Sequence, residues 1–545
     1  MLLTRYTAFV LCILLAVASF VLTRWWDYAW PLLFLFSGLS VVGVIDLVQR
    51  RHSIQRNYPV VGHIRWIVEF VRPEVRQYLI EADEEAAPFS RDQRSLVYDR
   101  AKGKPGEKPF GTLLNVYRPG YEFIAHSTRP AEVTDPETFR IVIGGDQCSK
   151  PYSASVFNIS AMSFGSLSAN AIRALNRGAK MGGFYHDTGE GSISPYHREG
   201  GGDIVWEVAS GYFGCRTSDG RFDPDKFAAQ AQTDQVKMVE IKLSQGAKPG
   251  HGGVLPAAKV TREIAETRGV PMGVDCISPS RHSAFSTPRE MMAFIQQLRT
   301  LSGGKPVGFK LCIGHPWEFM GMVKAMLETG IRLDFIVVDG AEGGTGAAPT
   351  EFTDHMGAPM REGLLFVHNV LTGAGVRDQI RVGAAGQIVS AFDIASVLAI
   401  GADWCNAARG FMFALGCVQS RSCNTNRCPT GVATQSRLRQ AGLNVPDKAD
   451  RVASFHRLTL VSLSNMLAAA GLTHPDQLGP HHLVRRVSAT EIRQFAALHT
   501  FLKPGALVRG ECTGFYGDYW EMASADSFDG VGAPADAAWS GPPFR

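Results

Sequence analysis

The 545-residue chain is short of net charge: 55 Lys and Arg stand against 51 Asp and Glu, a formal +4. No basic stripe interleaved with aromatics accompanies that balance, which argues against a dedicated nucleic-acid binder. No G-x-G-x-x-G follows an early strand, which weighs against a Rossmann domain and against NADPH as a directly bound donor. Internal repeats and long low-complexity segments are missing too, and with them the solenoid and β-helix architectures. The ten cysteines include no C-x2-C zinc spacing. Seven of them (Cys12, Cys148, Cys215, Cys276, Cys312, Cys405, Cys512) are scattered through apolar or strand-like settings. They read as buried thiols in a reducing compartment, not as a disulfide framework.

What the chain does have is apolar residues, 45% of the total, and 57 glycines. Two uncharged runs open it, Tyr6–Thr23 and Tyr28–Ile45. As helices each spans roughly 27 Å, close to the hydrocarbon thickness of a bilayer. Trp25, Trp26 and Trp30 mark their connection, Arg5 precedes the first, and Arg50, Arg51, His52 and Arg56 follow the second. The positive-inside rule then predicts two transmembrane helices over residues 1–50 in the inner (cytoplasmic) membrane, with the rest facing the cytoplasm. A cleaved signal peptide at Ala16-Val17-Ala18 and a buried core hairpin are the rival readings. Residues 51–150 read as an extension packing on the next domain. Within it His63–Glu81 has a rough helical period broken by Pro73, and Trp66 and Phe70 are expected to rest on that domain, or alternatively on the membrane interface.

From Val156 short β-branched runs alternate with helical stretches. Eight candidate strands emerge: Val156–Ala161, Gly183–Asp187, Met238–Leu243, Met272–Cys276, Val307–Cys312, Phe335–Val338, Ile380–Val382 and Trp404–Asn406. Eight βα units predict a closed (β/α)8 TIM barrel over residues 151–440, with an excursion in Ile193–Gln235. Residues 441–545 read as a C-terminal helical extension, from the apolar spacing in Ala453–Ala469, with a fraying tail over Ser524–Arg545.

Chemistry in such a barrel sits at the C-terminal strand ends. The loops there carry Met162-Ser163-Phe164-Gly165-Ser166, Thr188-Gly189-Glu190-Gly191, Lys242 through Gly250, and Gly343-Gly344-Thr345-Gly346-Ala347. Gly386, Ala408 and Arg409 follow the last two strands, and Lys310 lies on the fifth. Singly these are weak signals, since a glycine-rich loop is usually a turn and a lone lysine a solvated tip. Together they suit a flavin mononucleotide or another phosphate ligand, with the phosphate after strands seven and eight. A lysine near the flavin N1/C2 carbonyl stabilises the anionic reduced ring, and Lys310 is the candidate. Further along, Gly416–Gln435 places Cys417, Cys423 and Cys428 at C-x5-C-x4-C in a turn-forming run ending Cys-Pro. That pattern suits iron–sulfur ligation; three unrelated thiols are the bland alternative.

In order, MSFGS, TGEG, EIKLSQGAKPG, GGTGA-P and the cysteine loop closed by Gly431–Gln435 resemble the FMN-binding domain of glutamate synthase over about residues 155–435. The resemblance implies FMN bound near Met162, Ser163, Thr188, Lys242, Lys310, Gly343, Gly344, Gly386, Ala408 and Arg409. It implies a [3Fe–4S] cluster on Cys417, Cys423 and Cys428. The implied substrate is 2-oxoglutarate, or a related 2-oxo acid, held by Glu190, Lys242, Gln245, Lys248 and Arg268. Glu190, Lys242 and Lys310 are the implied catalytic groups, and the reaction reduces 2-iminoglutarate to L-glutamate. A donor such as ferredoxin would supply electrons. No glutaminase with an N-terminal cysteine nucleophile precedes the barrel, so ammonia would be free or come from a separate subunit. The chain departs from the family at Asp187 (usually Asn), Val254 (aligned to a Gln), His251 and Arg409 (usually a small hydroxyl residue). Those changes leave open another 2-oxo acid or amino acid as substrate, and a membrane-bound barrel without turnover.

Overall fold

The computed structural model describes residues 5–82, 84–85 and 87–530. The chain divides into two compact units, residues 1–91 and 92–545. In the first, helices Thr7–Leu22 and Trp30–Val48 pack side by side. Gly43 makes the approach possible: a Cβ there would lie 2.1 Å from the Phe9 ring. Among the described residues, Asp27–Val48 is the helical stretch long and apolar enough to cross a membrane. The first helix has 16 residues, about 24 Å, and is the shorter partner of the pair expected from sequence. Asp46, buried near the end of the second helix, accepts from His63 Nε2 at 2.8 Å and from the Val60 amide at 2.9 Å. Those contacts tie helix Gly62–Val75 to the hairpin. That helix turns its apolar side chains outward. Phe70 is 81% exposed.

The second unit is built on a closed eight-stranded parallel barrel. Its strands are β1 (Phe157–Ile159), β2 (His186–Asp187), β3 (Ile204–Val208), β4 (Val236–Lys242), β5 (Val307–Leu311), β6 (Phe335–Asp339), β7 (Arg381–Ala385) and β8 (Trp404–Ala407). Seven of the eight candidate strands fall on these. Met272–Cys276 does not. Met272 and Val274 are exposed there, and Cys276–Ile277 instead pairs antiparallel with Val254–Leu255 outside the barrel. The missing strand lies inside the expected excursion, at Ile204–Val208, where all five residues are buried. Lys242 therefore ends the fourth strand, and Lys310 stays on the fifth.

At the N-terminal end of the barrel, Ile143, Tyr152 and Ala154 of the hairpin Arg140–Ile143/Tyr152–Ser155 join Tyr185, Val205, Met238, Phe335 and Trp404 in one apolar cluster. That end is filled, which leaves the C-terminal end for chemistry. Helix Ala169–Gly182 is capped by Ser168, whose hydroxyl accepts from the Ala171 amide. It packs against helix Val445–Ala469 so closely that a Cβ on Gly178 would sit 2.6 Å from Val452. The C-terminal part is not purely helical: Leu483–Arg486 pairs with Glu122–Ile124 on one side and Ile492–Gln494 on the other. Asp526, at the start of the expected fraying tail, is held by Arg289 at 2.7 Å, while residues 531–545 lie outside the described residues.

Candidate active site

Lys242 is the last residue of β4, so its side chain leaves the sheet at the open end of the barrel. Its Nζ meets Glu190 Oε2, from the loop after β2, at 2.9 Å. Burial alone would raise the Glu190 carboxyl, but Lys242, Arg268 and Lys248 together hold it down to about 2. Three cations thus converge on one carboxylate. Lys248 is buried and donates to the Ala347 carbonyl at 3.1 Å. Arg268 ends a helix begun by the Thr261 cap and closed by Gly269 in the left-handed conformation. It donates to the Phe164 carbonyl at 2.9 Å and lies over the Phe213 ring. Its buried Nε has no partner. The loop after β4 passes directly over Glu190, since a Cβ on Gly253 would stand 2.1 Å from Oε1. Gln245 is half-buried in that same loop, where its carbonyl accepts from the Lys248 amide.

Sequence reading missed His282. Its Nε2 reaches the Lys242 carbonyl at 2.9 Å, its Nδ1 reaches the Tyr212 hydroxyl at 3.1 Å, and Phe285 stacks on its ring. Burial pulls its pKa down to about 4, so it is neutral and supports the Lys242 backbone. Nothing in its sequence context marks it, because both its hydrogen-bond partners are distant in the chain.

The loops after β1 and β2 touch. A Cβ on Gly189 would stand 2.7 Å from the Ser163 amide nitrogen and 3.0 Å from that of Met162. Thr188 accepts from the Glu207 amide and donates to the Gly189 carbonyl. Across the mouth, Arg409 at the end of β8 donates to the Glu342 carbonyl at 2.6 Å. A Cβ on Gly344 would meet its guanidinium at 2.9 Å, and one on Gly386 would meet Met360 and Glu342. Gly343 and Ala408 flank the same spot, so those five residues come together as expected.

Lys310 aligns in register with Lys242 on the neighbouring strand and is buried in ion pairs. It contacts Glu207 of β3 and lies 3.6 Å from Glu240 of β4. Asp187 of β2 completes the group, and one oxygen from each of the three carboxylates lies within 4.8 Å of the others. Burial and the Glu207 charge push Asp187 up to about 7, with Lys310 opposing, and burial and Asp187 drive Glu240 well above the carboxylate range. The ammonium of Lys310 takes the place that a cation would have among these carboxylates.

The cysteine loop leans on the mouth. Lys259, another residue that sequence reading missed, is buried, and its Nζ donates to the carbonyls of Ser166, Cys423 and Ala433. Gln435 donates to the Gly165 and Leu167 carbonyls at 2.9 Å each. A Cβ on Gly346 would lie 3.7 Å from Cys423 Cβ. Burial would raise the Cys428 thiol, yet the Thr430 hydroxyl and the amides of Ala433, Thr430 and Val432 bring it below its ordinary value. The Gln419 amide points at Cys417 Sγ from 3.4 Å. Burial dominates at the other two, pushing Cys417 up to about 12 and Cys423 above its ordinary value, so the amides favour thiolate charge at Cys428 alone.

The conserved region in glutamate synthase matches residues 124–473 of this chain, well over half its length and the whole barrel. The chain belongs to the glutamate synthase family. The glutamate synthase large subunit-like protein YerD of Bacillus subtilis is 38% identical over 481 residues, covering 81% of this chain and 91% of YerD. The archaeal-type glutamate synthase [NADPH] of Thermotoga neapolitana is 33% identical over 333 residues, 61% of this chain and 62% of that protein. The archaeal glutamate synthase [NADPH] of Methanocaldococcus jannaschii is 33% identical over 335 residues, with the same two coverages. The match thus spans about 62% of the length of those two archaeal-type relatives. Family membership makes this an oxidoreductase of glutamate synthase type.

Proposed function

We propose that the chain is a membrane-anchored FMN and iron–sulfur oxidoreductase that reduces 2-iminoglutarate, formed from 2-oxoglutarate and ammonia, to L-glutamate. The observation that carries this reading is the convergence of Lys242, Lys248 and Arg268 on Glu190. Three cations gathered at one spot suit a substrate with two carboxylates, bound by charge-assisted hydrogen bonds in a low-dielectric pocket. The unpartnered Arg268 Nε is a donor in want of such an acceptor. Glu190, kept ionised, would hold the imine nitrogen by accepting its proton in a hydrogen bond, while Lys242 bridges Glu190 and the reacting end of the substrate. Lys248 and Arg268 would bind the carboxylates and fix the carbon to be reduced.

The residues fit FMN. Small residues of the loop after β1 let a flat ring approach the backbone, and Arg409 among Gly343, Gly344, Gly386 and Ala408 is a donor set for phosphate. Bound there, FMN would supply the hydride. Cys417, Cys423 and Cys428 fit a [3Fe–4S] cluster, which takes one thiolate per iron and so spreads its sulfurs wider than a single ion does. A carrier such as ferredoxin would bring electrons to that loop, and ammonia would be free or delivered by a separate subunit. Trp25 and Tyr28, both exposed between the two apolar helices, and the outward apolar face of Gly62–Val75 support an anchor in the inner membrane with an interfacial helix. Val254 sits beside Gly253 over Glu190, and its apolar side chain favours, as a second reading, a 2-oxo acid other than 2-oxoglutarate.

The test uses the full chain in detergent without oxygen. Its flavin is photoreduced, then mixed with 2-oxoglutarate and 15N-ammonium. Rapid return of the oxidised flavin spectrum with 15N-glutamate formed is the expected result. A reduced flavin that ignores this mixture but reoxidises with another 2-oxo acid would replace the substrate. A chain that takes up no flavin after reconstitution would sink the reading.

A further inference from the structure

Strands β2 to β5 each contribute one ionisable side chain to a shared buried group: Asp187, Glu207, Glu240 and Lys310. Fully ionised, three carboxylates and one ammonium would leave two negative charges uncompensated away from water, and protons must offset them. The geometry shows where one proton goes. Lys310 contacts Glu207 but stands 3.6 Å from Glu240, whose buried Oε1 has no hydrogen-bond partner. The Asp187 and Glu240 carboxyls lie within hydrogen-bonding reach of each other. Carboxylates only accept, so a hydrogen bond joins these two only when one of them carries a proton. Two further groups face the set. The Tyr185 hydroxyl, two residues back on β2, is held by Trp404 and Asn406. Asp339 of β6 faces Lys310 and accepts from the Gly246 amide at 2.9 Å.

Asp187 also reaches the mouth. Its Oδ1 accepts from the Gly189 amide at 2.9 Å, at the turn that carries Glu190. That turn has no slack, since Gly189 is left-handed and a Cβ there would lie 2.7 Å from the Ser163 amide nitrogen. Glu190 in turn pairs with Lys242. One side chain therefore joins the buried carboxyls to the carboxylate on which three cations converge. As the neutral acid, Asp187 has the shape of asparagine and sits between Glu240 and Gly189 without repulsion. As an anion it stands against the Glu207 charge and adds a negative charge beside a mouth read as an anion site.

We propose that Asp187 is a positioning residue that works as the neutral acid: its proton keeps the Thr188–Gly191 turn and Glu190 in the binding arrangement, and losing it lowers affinity for the dicarboxylate. The inference rests on the reading of the mouth as a 2-oxo dicarboxylate site. Burial and the Glu207 charge, with Lys310 opposing, hold that proton up to about pH 7. Affinity is therefore full below that value and declines as pH rises through it. By linkage, a dianion that prefers the protonated form draws a proton from solvent when it binds above pH 7.

The test uses the full flavin-loaded chain in detergent and 2-oxoglutarate, whose carboxylates stay ionised from pH 6 to pH 8.5. Calorimetric titration in buffers of different ionisation enthalpy gives both Kd and the protons exchanged. Wild-type Kd should rise about tenfold between pH 6 and pH 8.5, with proton uptake on binding at the higher pH. D187N should match wild type at pH 6, keep that affinity at pH 8.5 and exchange no proton. D187A, which removes the tie to Gly189, should bind weakly at every pH, so recovery by Asn separates positioning from general damage. Infrared spectra without 2-oxoglutarate should show a protonated-carboxyl band that fades between pH 6 and pH 8.5 in wild type and is missing from D187N. A pH dependence of Kd that persists in D187N would overturn the proposal, as would a band that D187N leaves in place. His251 is half-buried in the loop that passes over Glu190, and a pH dependence abolished by H251Q would assign the switch to it instead. A titrating band in a chain that binds no 2-oxoglutarate at any pH would sink the substrate reading and the role in binding, and keep the proton at Asp187.

Discussion

Two charge clusters lie side by side in the barrel, and they are opposites. In one, Lys242, Lys248 and Arg268 surround Glu190. In the other, Asp187, Glu207 and Glu240 surround Lys310. Neither cluster balances itself, and buried imbalance is costly. The difference lies in what can correct it. The mouth is open, so under the proposed function its cations would be matched by the carboxylates of an incoming substrate. The interior is closed, so its excess acid is matched by protons that stay, with Asp187 and Glu240 both shifted upward.

The largest effect should come from emptying the interior of its cation. K310M leaves three buried carboxylates without a counter-charge and should cost about 3–5 kcal/mol of stability, read as a large drop in the thermal midpoint. At the mouth, K248Q should leave folding nearly intact but raise KM for 2-oxoglutarate roughly 100-fold, about 2.8 kcal/mol. Equal losses of stability in the two variants would erase the contrast. D187N sharpens it through pH. Asp187 titrates near 7 when folded and near 3.8 when unfolded, so the folded state holds the extra proton between those values. Wild-type stability should therefore fall as pH rises from about 4 through 7. Asn keeps the hydrogen bond to the Gly189 amide and cannot ionise. D187N should gain a few degrees in thermal midpoint at pH 8 and nothing at pH 4, by scanning calorimetry. The smallest effect belongs to H282Q, which loosens the Lys242 backbone; kcat should fall about 3- to 10-fold with an unchanged pH profile.

The barrel was legible because its strands are short apolar runs separated by glycine-rich loops. Ile204–Val208 escaped because Gly200–Gly202 and Asp203 before it resemble a turn and Glu207 breaks its apolar run. That glutamate points into the barrel to meet Lys310, a pairing across 103 residues that no local pattern records. Met272–Cys276 misled for the converse reason: Val274 and Met272 suit a strand, yet no neighbour pairs them. Loop motifs located the mouth, including Glu190, Lys242, Lys248 and Arg268. They did not show that Lys310 is engaged by carboxylates from two other strands. Lys259 and His282 were invisible because their roles consist of contacts to distant backbone carbonyls.

The pairing of Glu122–Ile124 with Leu483–Arg486 has a consequence at the ribosome. The first strand is synthesised some 360 residues before its partner, so a nascent chain carries an open, unpaired edge throughout translation of the barrel. Products that stop between residues 408 and 482 would hold every barrel strand and still expose that edge, which would favour their aggregation.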